Sequence, residues 1–209
     1  MTTIHRFDYA LTADNDDAIA ESQTPAAGGV QALTLDGSAV SGGVATLDVQ
    51  RRVLITCAGS DAGRTFTITG TDDAGYPISE DVAGANADTS SSTLDFKTVT
   101  SVTVDDDTDD AVEIGTSAVG ASRMRVMNLY QEPFNVSLGT TVSGTVNYTI
   151  QYLLDDPFGD RNAMTWFAVT ALTGKTDAQI SNFSYPVTAV RTLINSGTGT
   201  VRLRILQGG

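Results

Sequence analysis

The sequence predicts an all-β chain: two small β-sandwich domains, Ig-like or jelly-roll-like, with an extended N-terminal arm. Two observations predict it. Apolar and Thr/Ser residues alternate with a period of two from Val44 onward, the spacing that turns one face of a strand inward and the other to solvent. No 3.6-residue period persists long enough for a substantial helix. Charge then divides the chain near Gly120: five Lys/Arg against 20 Asp/Glu before it, net −15, and seven against five after it, net +2. An acidic half and a near-neutral half rarely face the same partner. The expected organisation is an arm over residues 1–43, an acidic sandwich over 44–119 and a second sandwich over 120–209.

Residues 1–43 mix short apolar clusters with Asp14-Asn-Asp-Asp17, Pro25 and two Gly-Gly pairs. They read either as a flexible terminus or as a segment that orders on a neighbouring subunit, burying Ile4, Phe7, Tyr9 and Leu11. On the arm reading, a chain lacking residues 1–20 keeps both domains folded. In the acidic domain, strands are expected at 44–49 and 52–57, then a turn at 59–63 that closes a hairpin with 64–69. Asp72-Asp-Ala-Gly75 is the next turn, followed by strands at 78–82 and 96–104. Turns 8 to 12 residues apart suit a small sandwich.

In the second domain the expected strands are 123–130, 134–138, 145–153, 166–170, 187–194 and 200–206. Thr145-Val-Asn-Tyr-Thr-Ile-Gln-Tyr152 places Val146, Tyr148, Ile150 and Tyr152 on one face, as a sheet with one solvated face requires. Pro133, Pro157 and Pro186 fall at strand ends, where a missing N–H does least harm. Any helix is expected to be a short loop element, around 175–180.

Composition excludes several functions. The chain has 209 residues, 41% of them hydrophobic and 18% charged, which suits a folded core. No apolar run reaches the ~20 residues of a membrane helix and no signal-peptide core is present, so the chain is expected to stay in the cytoplasm with no membrane contact. Its acidity argues against nucleic acid, which is held by Lys and Arg. The one cysteine, Cys57, ends an apolar strand and reads as a buried small hydrophobe. His5 is the one histidine and reads as an ordinary surface or contact residue, leaving no basis for a histidine triad.

The strongest chemical candidate is Asp105-Asp-Asp-Thr-Asp-Asp110, with Glu113 close behind. Asp105, Asp107 and Asp109 are the candidate Ca²⁺ ligands, but Asp110 stands where the helix-loop-helix pattern needs Gly and Thr116 where it needs Glu. A solvated acidic hairpin between strands ending at Val104 and starting at Val112 is favoured. Asp72-Asp73 and Asp155-Asp156 are adjacent pairs that point to opposite sides of a strand, unlike a glycosidase pair across a cleft; turn formation explains them. Trp166, Phe167, Tyr130, Tyr148 and Tyr152 form either a sugar-binding platform or the second domain's core. No catalytic residue, metal or other cofactor is expected.

Two stretches then carry a resemblance. Arg52-Val-Leu-Ile-Thr-Cys-Ala-Gly-Ser-Asp-Ala-Gly-Arg-Thr-Phe-Thr-Ile-Thr-Gly-Thr-Asp-Asp-Ala-Gly75 with Phe96-Lys-Thr-Val-Thr-Ser-Val-Thr-Val104 resembles a β-domain common in virion proteins of tailed bacteriophages. Phe134-Asn-Val-Ser-Leu, Gly144-Thr-Val-Asn-Tyr-Thr-Ile-Gln-Tyr152, Asp155-Asp-Pro-Phe158 and Asn195-Ser-Gly-Thr-Gly-Thr-Val-Arg-Leu-Arg-Ile-Leu-Gln-Gly-Gly209 resemble the same group. The resemblance implies a non-enzymatic virion structural protein, foremost a capsid decoration or cement protein bound to the major capsid protein. The alternatives are a tail or head-to-tail accessory protein contacting tail proteins, or a carbohydrate-binding adhesion module. Self-association as a trimer or ring is expected. Candidate contact residues are Ile4, Phe7, Tyr9, Leu11, Arg123, Arg125, Arg202 and Arg204, with the acidic domain projecting into solvent.

Overall fold

The chain divides into two compact units, and the first segment belongs to the same unit as the last. The computed structural model describes residues 3–130, 132 and 134–208, and no α-helix occurs among them. One unit, called here the split unit, comprises residues 1–12 and 118–209; the inserted unit comprises residues 13–117.

Strand β1 (Thr3–Tyr9) opens the split unit. The inserted unit follows with β2 (Asn15–Gln23), β3 (Gln31–Ala32), β4 (Val40–Ser41), β5 (Val44–Arg51) and β6 (Val53–Cys57). It continues through β7 (Thr65–Thr71), β8 (Pro77–Ala83), β9 (Thr89–Ser91), β10 (Phe96–Val104) and β11 (Val112–Thr116). Back in the split unit come β12 (Gly120–Ala121), β13 (Arg125–Val126), β14 (Asn135–Ser143) and β15 (Val146–Leu153). The last strands are β16 (Trp166–Ala168), β17 (Ile180–Phe183), β18 (Ala189–Gly197) and β19 (Thr200–Gly208). Two single-turn 3₁₀ helices, Arg161–Ala163 and Thr170–Leu172, flank β16.

In the inserted unit, one sheet runs β4-β5-β10-β7-β8 with β3 added on β10, and the other runs β2-β11-β6-β9. Alternation does what the pattern demands. Phe66 and Ile68 on β7 and Val53, Ile55 and Cys57 on β6 turn inward, joining Ile19, Phe96, Val99, Val102 and Ile114 in one core. The β7–β8 hairpin closes on Asp72, whose Oδ1 accepts the amides of Ala74 at 2.8 Å and Tyr76 at 2.9 Å, an Asx turn.

In the split unit the sheets run β1-β19-β14-β17 and β12-β18-β15-β16, with β13 also on β18. Inward positions of β14 and β19, including Val136, Leu138, Val201, Leu203 and Ile205, are buried, as are Tyr148, Ile150 and Leu153 of β15. The β18–β19 turn packs against the β14–β15 turn. A side chain at Gly197, whose φ is 89°, would press its Cβ to 2.4 Å from the Thr145 carbonyl oxygen, so glycine is required there.

Several expectations are corrected. Residues 1–43 are not a separate arm: β1 pairs with β19 along its whole length, and β2 pairs with β11. Tyr9 and Leu11, expected to bury on a neighbour, are buried within the chain. The expected hairpin across 59–63 is absent, because β6 joins β11 and β9 whereas β7 joins β8 and β10. The turn residues there carry the chain from one sheet to the other. Residues 123–130 contribute only the two-residue β13. In place of a helix at 175–180, Lys175 exchanges two 2.8 Å backbone hydrogen bonds with Tyr148, and β17 begins at Ile180. Pro157 and Pro186 lie in connections after β15 and β17; Pro133 lies outside the described residues.

The chain enters and leaves the inserted unit at neighbouring points, because Thr116 of β11 lies opposite Asn15 of β2. Arg51 fastens them. Its side chain is 1% exposed. Nε and Nη2 donate to the Ser117 carbonyl at 2.9 and 2.6 Å, Nη2 also to the Ala13 carbonyl at 3.4 Å, and Nη1 meets Asp48 at 3.4 Å. A planar, permanently charged fork suits this junction of carbonyls better than an ammonium would.

Candidate functional site

The acidic run at 105–110 is a crossover between sheets, not the expected hairpin, since β10 and β11 have no pairing with each other. Its carboxylates are aimed at the protein's own donors. Asp105 accepts the Thr65 amide at 3.0 Å, Asp106 the amides of Gly29 and Asp107 at 2.9 and 3.0 Å, and Asp109 the Ser60 amide at 3.0 Å. Asp107 meets the Arg64 guanidinium at 2.8 Å. The amides of Gly29 and Asp107 hold the Asp106 carboxyl below its ordinary range, because they favour the charged form. The candidate Ca²⁺ ligands Asp105, Asp107 and Asp109 thus point at three different partners. Among the described residues no group of three His, Cys, Asp or Glu side chains gathers as a metal site. Glu113 stands on β11 opposite Thr56.

The other chemical suspects are occupied locally. His5 lies on β1, its ring 6.0 Å from that of Phe7. Cys57 is buried; burial pushes its thiol pKa up and the charge of Asp61 adds to the rise, which leaves a protonated, unreactive thiol at neutral pH. Asp73 gives its amide to Gln50, while Asp155 accepts the Thr165 amide and Asp156 the Phe158 amide. Both carboxylate pairs shape turns.

The aromatic residues do not form one surface. Tyr148 is buried, its hydroxyl bonded to Thr140 and donating to the Asp177 carbonyl; burial raises its pKa. Tyr130 is 98% exposed. Neighbours on β16, Trp166 and Phe167 go to different partners: the Arg191 guanidinium lies 4.1 Å from the centre of the Trp166 ring, while Phe167 stacks on Tyr152 at 5.6 Å. Tyr152, Phe183 and Tyr185 complete that cluster at 5.3 to 6.0 Å, and a hydrogen bond with Tyr152 raises the Tyr185 phenol. These rings spend their faces on one another.

What distinguishes the two units is surface chemistry. The inserted unit carries four Lys/Arg against nineteen Asp/Glu, net −15, and the split unit eight against six, net +2. Of the twelve large hydrophobic residues exposed among the described residues, only Val30 and Tyr76 lie in the inserted unit. The remainder, including Ile4, Leu129, Tyr130, Leu154, Phe158 and Ile180, belong to the split unit. Exposed apolar side chains are thus concentrated on the split unit, and like charge on the inserted unit.

The candidate contact residues all fall in the split unit. Ile4 and Arg204 are exposed, as is Arg123. Phe7 lies beneath the Arg125 guanidinium at 4.0 Å from the ring centre. Arg202 is held by Asp8 through two bonds, Nε to Oδ1 at 2.6 Å and Nη2 to Oδ2 at 2.8 Å. The Arg202 hydrogen bond, foremost, and the charges of Arg202, Arg6 and Arg204 hold the Asp8 carboxyl below its ordinary range. Sequence reasoning missed the pairing of Arg202 with Asp8, although the alternation in Arg6-Phe-Asp8 and in Arg202-Leu-Arg-Ile205 places these charges on one face of each strand.

The fold is that of an all-β protein of two sandwich units. No protein-family model and no curated protein matches the chain. Among solved structures, it is similar at a TM-score of 0.26 and 8% identity to allantoicase from Saccharomyces cerevisiae, covering 98% of this chain and 100% of that one. It is similar at a TM-score of 0.18 and 13% identity to infectious bursal disease virus, Gx strain, covering 100% of this chain and 71% of that one.

Proposed function

We propose that the chain is a non-enzymatic structural protein of a bacteriophage virion, a decoration or cement protein bound to the major capsid shell. One observation supports the assembly role: ten of the large apolar side chains exposed among the described residues, with the exposed Arg6, Arg123 and Arg204, lie on the split unit, while the inserted unit holds the negative charge. An enzyme needs converging polar groups in a cleft, whereas the acidic residues at 72–73, 105–110 and 155–156 bond within turns and a crossover. The phage assignment rests on the sequence resemblance. In this reading the split unit supplies the contacts to the shell, and the surplus charge of the inserted unit discourages particles from adhering to one another.

Quantitative mass spectrometry of purified particles tests the assignment. A decoration protein is present in hundreds of copies, in fixed proportion to the major capsid protein. A handful of copies per particle points to the tail or head-to-tail connection instead, and absence from particles removes the proposal.

A further inference from the structure

Gly139 has no explanation within its own fold. It lies inside the nine-residue strand β14, where glycine weakens a strand by leaving its backbone freer and its surface unpacked. Its φ is not positive, and a Cβ added there would meet nothing within 4 Å. Neither conformation nor crowding in the chain calls for glycine. A bare strand backbone with open space above it is what close approach by another molecule requires.

The surroundings say what kind of molecule. Across the outer face of the sheet, Gly139 lies between Arg204 of β19 and Ile180 of β17, and Arg204 lies opposite Arg6 of β1. Ile4 and Leu206 form the next cross-strand pair. Ile4, Ile180 and Leu206 are 72%, 86% and 41% exposed. Like charges directly opposite on a sheet are unfavourable, and the carboxylate that neighbours them, Asp8, is engaged by Arg202. Neither the Arg6 nor the Arg204 side chain makes a hydrogen bond or a close ion pair among the described residues, although the charge of each is felt by Asp8. The face is therefore basic and apolar around a central notch, and an acidic surface complements it.

We infer that this face receives the acidic inserted unit of a second copy of the chain. That unit, at net −15, supplies the complementary charge. The inference stands apart from the phage reading, since it needs nothing but the protein itself. Two different surfaces meet, so the contact is head-to-tail and propagates copies into a ring or a row. The overall charge of −13 opposes association at long range, but beyond about 8 Å at physiological salt it is screened, and contacts at the face dominate.

Sedimentation velocity of the full-length protein over a concentration series, at about 50 and about 500 mM salt, tests this. The expected result is association by mass action at low salt, weakened about tenfold or more at high salt. Gly139→Val should melt at an unchanged or higher temperature, because a β-branched residue favours a strand, yet associate at least about tenfold more weakly because the notch is filled. The double variant Arg6→Glu/Arg204→Glu, changed only at exposed positions, should lose association equally and decides the matter if the valine variant misfolds. A monomer at every concentration, at low and at high salt, overturns the inference. So does full association by either folded variant, or association that strengthens with salt, which is the behaviour of two apolar faces meeting each other.

Discussion

Arg51 shows how one side chain organises a domain boundary. Its neighbour Arg52 has the same chemistry, and strand alternation puts the two on opposite sides. Nothing in the sequence tells which one closes on the carbonyls of Ala13 and Ser117. Replacing Arg51 with Met keeps the apolar stem but leaves those carbonyls without their charged donor, an expected loss of about 2 to 3 kcal/mol. Hydrogen exchange checks the location: amides near Asn15 and Thr116 should exchange faster, whereas those of β7 and β8 should keep their protection. Arg51→Lys should recover only part of the loss, because an ammonium cannot span two carbonyls as the fork does.

Asp8 gives a pH prediction at the same scale. Its folded pKa is depressed, chiefly by Arg202, so the stabilisation is present above the unfolded carboxylate pKa of about 3.9 and is lost as pH falls through the folded value. The window therefore lies below about pH 4. The stability difference between the native protein and Asp8→Asn should be steady at neutral pH and shrink under acid, as read by denaturant unfolding at several pH values. A difference that stays constant down to pH 2 contradicts the pairing.

Strand β1 carries the main lesson at the scale of elements. It lies almost the whole chain length from its partner β19, and Tyr9 with Leu11 is buried in the split unit. Deleting residues 1–12 should lower that unit's stability by on the order of 3 kcal/mol and leave the inserted unit intact. This reverses the expectation for a free arm. Trp166 is the one tryptophan and lies in the split unit, so its fluorescence should report an earlier transition in the truncated chain, while circular dichroism also records the unchanged one.

Most strands were legible because a period of two names both the element and its inward face, as in Phe66-Thr-Ile-Thr69 and Val146-Asn-Tyr-Thr-Ile150. Partners were not legible. Period two is identical whether a strand pairs with its neighbour in sequence or with one a hundred residues away. That is why the pattern predicts a hairpin of β6 and β7, whereas the two strands lie in separate sheets. The acidic run at 105–110 was correctly placed between two strands, but the crossover it makes depends on amides of Thr65, Ser60 and Gly29 that only the folded chain brings near. The notch at Gly139 was hidden for another reason: a strand glycine acquires meaning only when the space above its Cα is known.

At the scale of the whole molecule, the charge division visible in the sequence coincides with the architecture almost residue for residue, although the acidic part is an insertion within the other unit. Surface apolar residues follow the same division, which composition alone does not show because buried and exposed Leu, Ile and Tyr count alike. In the proposed assembly the split unit docks, and the inserted unit stays in water apart from its contact with a neighbouring copy. A hydrogen-exchange footprint of the full-length protein, free and bound to purified particles, tests this most directly. Strong protection on binding is predicted within residues 3–9 and 118–208. Protection confined to residues 13–117, with the split unit exchanging as in the free protein, would contradict it.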